Sequence, residues 1–216
     1  MAFTPIYLKP FTWLDTETTG LDENENDIIE IAAVRLNLDG TESVSESKVK
    51  MERPDNAHPK ALEVNGYTEE AWKDAEDPAV FWQKVADSGM LSDCIVAGQN
   101  VKFDTGFLNA TFKRHGVTVK GKPYRVDYHV YDTCTLAIEH LYPWLSSVSL
   151  TPVCVALGIP VNNAHTALAD VRLAMAVDKE LKRATNAQQA EWARVIPARL
   201  EAWVMADKPK VWPPVN

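Results

Sequence analysis

Residues 11–21 read FTWLDTETTGL, and the fold of the chain turns on how Asp15 and Glu17 are understood. Phe11, Trp13 and Leu14 form an apolar run that stops at Asp15. In a strand, successive side chains alternate between faces, so Asp15 and Glu17 share one face. From Asp15 to Glu30 the chain carries Asp15, Glu17, Asp22, Glu23, Glu25, Asp27 and Glu30, and no lysine or arginine. Two like charges at the end of a buried strand either raise each other's pKa or take a cation between them. A hard divalent cation favours carboxylate oxygens and would resolve the conflict. D-x-E is also a cheap pattern, and a strand end spilling into an acidic loop produces it without any function.

The strand at 11–15 opens a meander. DIIEIAAVRLNL (27–38) is apolar enough for a central strand, Asp39-Gly40 is a hairpin signal, and SVSESKVKM (43–51) alternates as a third strand. Short helical pieces follow over 60–74. Asp77-Pro78 opens a helix to about Ser88, and CIVAG (94–98) reads as a short buried strand. Asn100 then precedes a helix with Phe103, Phe107, Leu108 and Phe112 on one stripe, ended by Gly116. RVDYHVYD (125–132) is expected to be a fifth strand, with helices over 133–141, 149–158 and 166–184 after it. An amphipathic stretch over 187–206 is expected to be kinked or split by Pro197, and the last residues to be loose. Three antiparallel strands followed by strands alternating with helices predict an α/β fold, a mixed sheet covered by helices.

Bulk properties narrow the class. With 216 residues, 46% hydrophobic, the chain can bury a normal core. The net charge of −8 argues on average against nucleic acid, but its distribution is uneven. Between 102 and 125, Lys102, Lys113, Arg114, Lys120, Lys122 and Arg125 face the single acid Asp104. One region could hold cations and another could meet an anionic backbone, or both are solvated faces. Cys94, Cys134 and Cys154 lack metal spacing and read as reduced core residues of a cytoplasmic protein. No window is long enough to span a bilayer, so no membrane role is expected.

Beyond the first two acids, the chemistry-bearing positions have ordinary explanations. Asp104, in the first turn of its helix, would favour the helix N-terminus, at the margin between core and solvent. Asn100 suits a helix cap. Asp170 sits one residue before Val171 of a buried stripe, and His165 precedes that helix, where a histidine is often structural or exposed.

Taken together and in order, LDTETTGL, AGQNVKFDTGFL and HTALAD resemble the three motifs of the DEDD exonucleases of the DnaQ-like group, in the histidine subclass. The resemblance spans residues 11 to 184. It implies an RNase H-like five-stranded sheet, antiparallel then parallel, flanked by helices. It further implies an exonuclease domain over residues 1–185, with 186–216 as an added helical segment and tail. Asp15, Glu17, Asp104 and Asp170 would bind two Mg²⁺ or Mn²⁺ ions that activate the attacking water and stabilise the leaving 3′ oxygen. His165 would be the general base. Thr16, Thr18, Leu21, Asn100 and Phe103 would lie around the terminal nucleotide, and Asp132 would support the site or cap a helix. Gln99 stands where many members have histidine.

The activity implied is 3′→5′ hydrolysis of DNA from a free 3′ end, single-stranded, in proofreading or end-trimming. The same chemistry on RNA or short oligonucleotides is a rival, because the 2′-OH is read at contacts outside these motifs. A non-catalytic module is a second rival, against which every acid and the histidine are present. The Trp-rich end (Trp192, Trp203, Trp212) would dock a polymerase or a second copy, or pack back on the domain.

Overall fold

The computed structural model describes residues 9–161 and 166–205. Its strands are β1 (Phe11–Thr18), β2 (Ile28–Leu36), β3 (Glu42–Lys48), β4 (Ile95–Gly98), the two-residue strands β5 (Thr118–Val119) and β6 (Lys122–Pro123), and β7 (Val130–Asp132). The helices are α1 (Pro59–Val64), α2 (Pro78–Asp87), α3 (Val101–Arg114), α4 (Thr133–Leu141), α5 (Leu150–Leu157), α6 (Ala167–Lys182) and α7 (Asn186–Met205). Five strands form one mixed sheet in the order β3-β2-β1-β4-β7. β1 pairs antiparallel with β2, while β4 runs parallel to β1 and β7 parallel to β4. This is the RNase H-like arrangement expected from the sequence.

β1 is central, so both of its faces are covered. Leu14 packs with Phe107 and Leu108 of α3, and Trp13 packs with Ala167, Val171 and Ala174 of α6. The small alanines let α6 lie close to the sheet. Behind α6, Val177 and Leu181 join Val153, Trp192 and Ile196 in a further core. Cys94 and Cys154 are buried free thiols and Cys134 is partly buried.

β1 and β4 part early. Their pairing ends at Trp13 and Ala97, and a side chain at Gly98 would meet the Leu14 carbonyl at 2.6 Å. From Asp15 onward, the β4-side edge of β1 is therefore open. Ligands of open α/β sheets collect at such carboxyl ends, where neighbouring strands lead apart.

Four expectations need correction. The first strand runs to Thr18, because β2 continues beside it as far as the Thr18–Ile28 pair. The fifth strand is only Val130–Asp132, since β4 offers just Val96, Ala97 and Gly98 as partners. Upstream of it, the Asp127 carboxylate accepts the His129 N–H at 2.9 Å, a local bond that competes with a ladder. Asn100 stands at the N-cap of α3 but in a left-handed conformation (φ 56), with no capping bond from its side chain. Pro197 does not split α7, which is continuous from Asn186 to Met205. Trp192 and Ile196 are buried on one side of the proline, and Arg199 on the other donates to the Ala156 carbonyl at 3.0 Å. Among the described residues, no helix is long and apolar enough to cross a membrane.

Candidate active site

The alternation of β1 puts Asp15 and Glu17 on the α6 side of the sheet. α6 begins at Ala167, with the Thr166 hydroxyl accepting the Ala169 N–H at 3.4 Å, and carries Asp170 in its first turn. Carboxylate oxygens of Asp15, Glu17 and Asp170 lie within 4.8 Å of one another. Residues far apart in the chain thus converge at the open end of β1.

Asp104 comes from the opposite face. Its Oδ1 accepts both the Thr16 N–H and the Thr16 hydroxyl at 2.8 Å. The Thr16 N–H is available because β4 has already diverged. Asp104 is therefore buried, at 3% exposure, and not at the solvent margin that its helical position suggested.

The electrostatics are one-sided. Burial raises the Asp15 pKa well above the ordinary carboxylate value, and the charged groups acting on it, Asp104, Glu17, Asp170 and Glu30, are all acids. Burial, followed by Asp170, Glu30 and Asp104, pushes Glu17 up to about 8. Asp104 is pushed up to about 7 by burial, against the lowering effect of the Thr16 bonds. An all-oxygen donor set with uncompensated negative charge fits a hard divalent cation.

A model of the exonuclease family typified by RNase T matches residues 12–177. The chain belongs to this DnaQ-like exonuclease family. It is 30% identical over 164 residues to the PolC-type DNA polymerase III of Bacillus cereus, covering 75% of this chain and 10% of that protein. Against the PolC-type DNA polymerase III of Latilactobacillus sakei the identity is 32% over 158 residues, covering 72% and 10%. The chain thus spans about a tenth of the length of these relatives. Among solved structures, an exonuclease I superposes with a TM-score of 0.67 at 23% identity, over 87% of this chain and 44% of that one. Exonuclease I of E. coli in complex with a dT13 oligonucleotide gives 0.66 at 23%, over 92% and 46%. These structural likenesses establish the common fold. An exonuclease of this family with such an acidic cluster is expected to depend on divalent metal.

The other family positions fall as follows. The Thr18 hydroxyl donates to the Gly20 carbonyl at 2.7 Å and fixes the start of the loop after β1. Leu21, on that loop, is 47% exposed. Asn100 is exposed, and Phe103 is half-buried with its ring 4.7 Å from that of Phe107. His165 lies outside the described residues. Asp132 does two jobs with one oxygen: it caps α4 through the Cys134 N–H at 2.8 Å and accepts the Asn100 N–H at 3.0 Å. Gln99 turns inward, its amide bonded to Thr133, the Val148 carbonyl and the Cys134 sulfur, so its side chain serves the fold.

One residue escaped the sequence reading. Glu30 pairs with Glu17 across β1 and β2, is 3% exposed, and accepts the Ala167 N–H at 3.0 Å. It connects the D-x-E strand to the first residue of α6. A lone acid inside the apolar run IIEIAAV was the available signal.

Proposed function

We propose that the chain hydrolyses single-stranded DNA from its free 3′ end, one nucleotide at a time, in proofreading or end-trimming. The observation that carries this is the convergence of Asp15, Glu17 and Asp170 within 4.8 Å, beside buried Asp104, with Asp104, Glu17, Asp170 and Glu30 all raising the Asp15 pKa. The four carboxylates would hold two Mg²⁺ or Mn²⁺ ions. When bound, such ions lower the pKa of water and stabilise a leaving oxygen. The chain's own part is to keep Asp104 fixed through Thr16, and to keep Asp170 at the strand end through the Glu30 bond to α6. His165, five residues before Asp170, is the proton acceptor of this reading, which places the chain in the histidine subclass. Thr16, Thr18, Leu21, Asn100 and Phe103 would position the terminal nucleotide. The likeness to PolC-type polymerases and to an oligonucleotide-bound exonuclease I supports DNA as substrate.

Residues 1–185 are the catalytic unit of this reading and 186–216 an appended segment. Of the Trp-rich end, Trp192 packs back into the core behind α6 and Trp212 lies outside the described residues, so exposed Val204 and Met205 near the end of α7 would give a polymerase or a second copy its foothold. Lower mass in solution for Val204→Asp/Met205→Asp would support that contact.

The deciding assay uses 5′-labelled DNA and RNA of one sequence, with Mg²⁺ or with EDTA, resolved at single nucleotides. A ladder shortening from the 3′ end of DNA, absent in EDTA and blocked by a 3′-terminal phosphorothioate, is expected. Cleavage in EDTA, internal cuts or shortening from the 5′ end would overturn the reading. Preference for the RNA strand would move the substrate to RNA with the chemistry unchanged.

A further inference from the structure

Apart from exposed Lys102 in the first turn of α3, the cations between residues 102 and 125 divide into two groups. Arg114 is engaged, 3.3 Å from Asp27 and 3.8 Å from Glu52. Lys113, Lys120, Lys122 and Arg125 are exposed, and among the described residues no acid pairs with them. Lys113 and Arg125 line a groove of about 820 Å³ between α3 and the β5–β6 hairpin, and Lys120 and Lys122 belong to that hairpin. Asn109, Lys113, Thr118, Tyr124 and Arg125 line it, with Glu23 as the acid in its wall.

The groove is built on fixed walls. Gln83 of α2 holds the hairpin through both backbone groups of Thr118, at 2.8 and 3.1 Å. The Tyr124 ring packs 5.3 Å from Phe112, and the Asn109 side chain accepts the Val126 N–H at 2.9 Å. The two-residue turn of the hairpin is Lys120-Gly121, with φ of 52 and 72. Such turns favour asparagine or glycine at the first position, and a lysine there carries a conformational cost. Its ammonium is displayed at the hairpin tip all the same.

The groove is bordered by two segments that also carry acids of the cluster. Glu23 and Asn24 in its wall belong to the loop that follows the D-x-E strand, and Gly106 lies two residues past Asp104 on α3. Nine residues of helix separate Asp104 from Lys113, about 14 Å of rise. That is room for about four phosphates of a stacked strand. We propose that this groove holds the phosphodiester backbone of the substrate strand a few nucleotides upstream of the 3′ end at the acids. The inference rests on the nuclease reading for its polarity, but the charge complementarity stands by itself. Cations that pair with no acid among the described residues, beside a groove with fixed walls, suit an anionic backbone read without base specificity.

The test measures binding of 5′-fluorescein dT20 by anisotropy in EDTA, so that no cleavage is needed. The variant is Lys113→Gln/Lys120→Asn/Lys122→Gln/Arg125→Gln, in which asparagine suits the turn. A control of equal charge change replaces exposed Lys50, Lys73, Lys84 and Lys179 by glutamine. The groove variant is expected to weaken binding at least tenfold and to flatten the plot of log affinity against log salt by about 0.7 for each cation removed. The control should keep both. In Mg²⁺, kcat/KM should fall for dT20 and stay level for the dinucleotide dT2, which is too short to reach the groove. Unchanged dT20 affinity and slope, or equal losses in the control, would overturn the proposal. A parent protein that binds dT20 through these residues but cleaves neither length would overturn the nuclease reading and leave the groove standing.

Discussion

Asp27, just before β2, and the cluster of Asp15, Glu17, Asp104 and Asp170 at the open end of β1 treat negative charge in opposite ways. Asp27 is 2% exposed and fully answered. Its Oδ2 accepts the Glu52 and Arg53 N–H groups at 2.8 and 2.6 Å, and its Oδ1 meets Arg53 Nε at 2.9 Å and Arg114 at 3.3 Å. The cluster has hydrogen bonds to Asp104, but the charged groups that act on Asp15 and Glu17 among the described residues are other acids. A carboxylate surrounded by guanidinium groups and amides holds loops in place. Carboxylates that crowd one another raise the free energy of the empty fold, and that arrangement is useful only if something cationic enters. Counted in sequence, Asp15, Glu17 and Asp27 belong to the same acidic run. Burial does not separate Asp27 from Glu17 and Asp104, whereas neutralisation does.

The largest expected effect tests the satisfied side. Asp27→Ala leaves Arg53 and Arg114 without their shared carboxylate and should cost about 3–5 kcal/mol of stability, measured by urea unfolding. Hydrolysis per folded molecule should stay near the parent level. A loss under about 1 kcal/mol, the range of a surface pair, would break the comparison. On the other side, Asp104→Asn keeps an acceptor for Thr16 and removes a charge. Hydrolysis should fall by about 10²–10³, the scale of losing one electrostatic contact to a developing charge. Stability in EDTA should hold or rise. A stability loss with activity kept would reverse the two roles.

A third measurement uses pH. In the fold, Glu17 holds its proton up to about 8 and Asp104 up to about 7, against ordinary values of 4.5 and 3.8. Between those limits the native state binds more protons than the unfolded chain, so this contribution to stability falls as pH rises from about 4 to about 8. The Tm in EDTA should decline over that window. Millimolar Mg²⁺ needs the ionised carboxylates and should flatten the decline. An equal slope with and without Mg²⁺ would mean that the cluster is not where the cation binds.

Much of this was legible in the chain because the motifs are local. D-x-E on a strand fixes a shared face, and the spacing of Asp170 from Val171 fixes its side of α6. What was not legible depends on distant geometry. A helical wheel puts Asp104 at the edge of the core. Its burial follows from β4 ending early, which frees the Thr16 N–H. The shortness of β4 also trims the last strand to Val130–Asp132. Pro197 breaks an isolated helix, yet buried Trp192 and Ile196 and the Arg199 bond keep α7 continuous. Glu30 escaped because its partner is chosen by strand register, which no single segment reveals.

Glu30 is also where the comparison is finest. Like Asp27 it accepts a backbone N–H, that of Ala167, and like the cluster its pKa is raised by burial, with the Ala167 bond and Lys48 only opposing the rise. Two substitutions separate these halves. Glu30→Gln keeps an oxygen for Ala167 and removes the charge beside Glu17, so hydrolysis should change by no more than about threefold and stability in EDTA should rise slightly. Glu30→Ala leaves the Ala167 N–H buried without an acceptor, at a cost of about 1–3 kcal/mol. It also loosens the turn that carries Asp170, and hydrolysis should drop about tenfold with a weaker response to Mg²⁺. If glutamine proves as damaging as alanine, the charge and not the bond is what the site needs. Glu30 would then count among the acids of the cluster rather than with Asp27 in the scaffold.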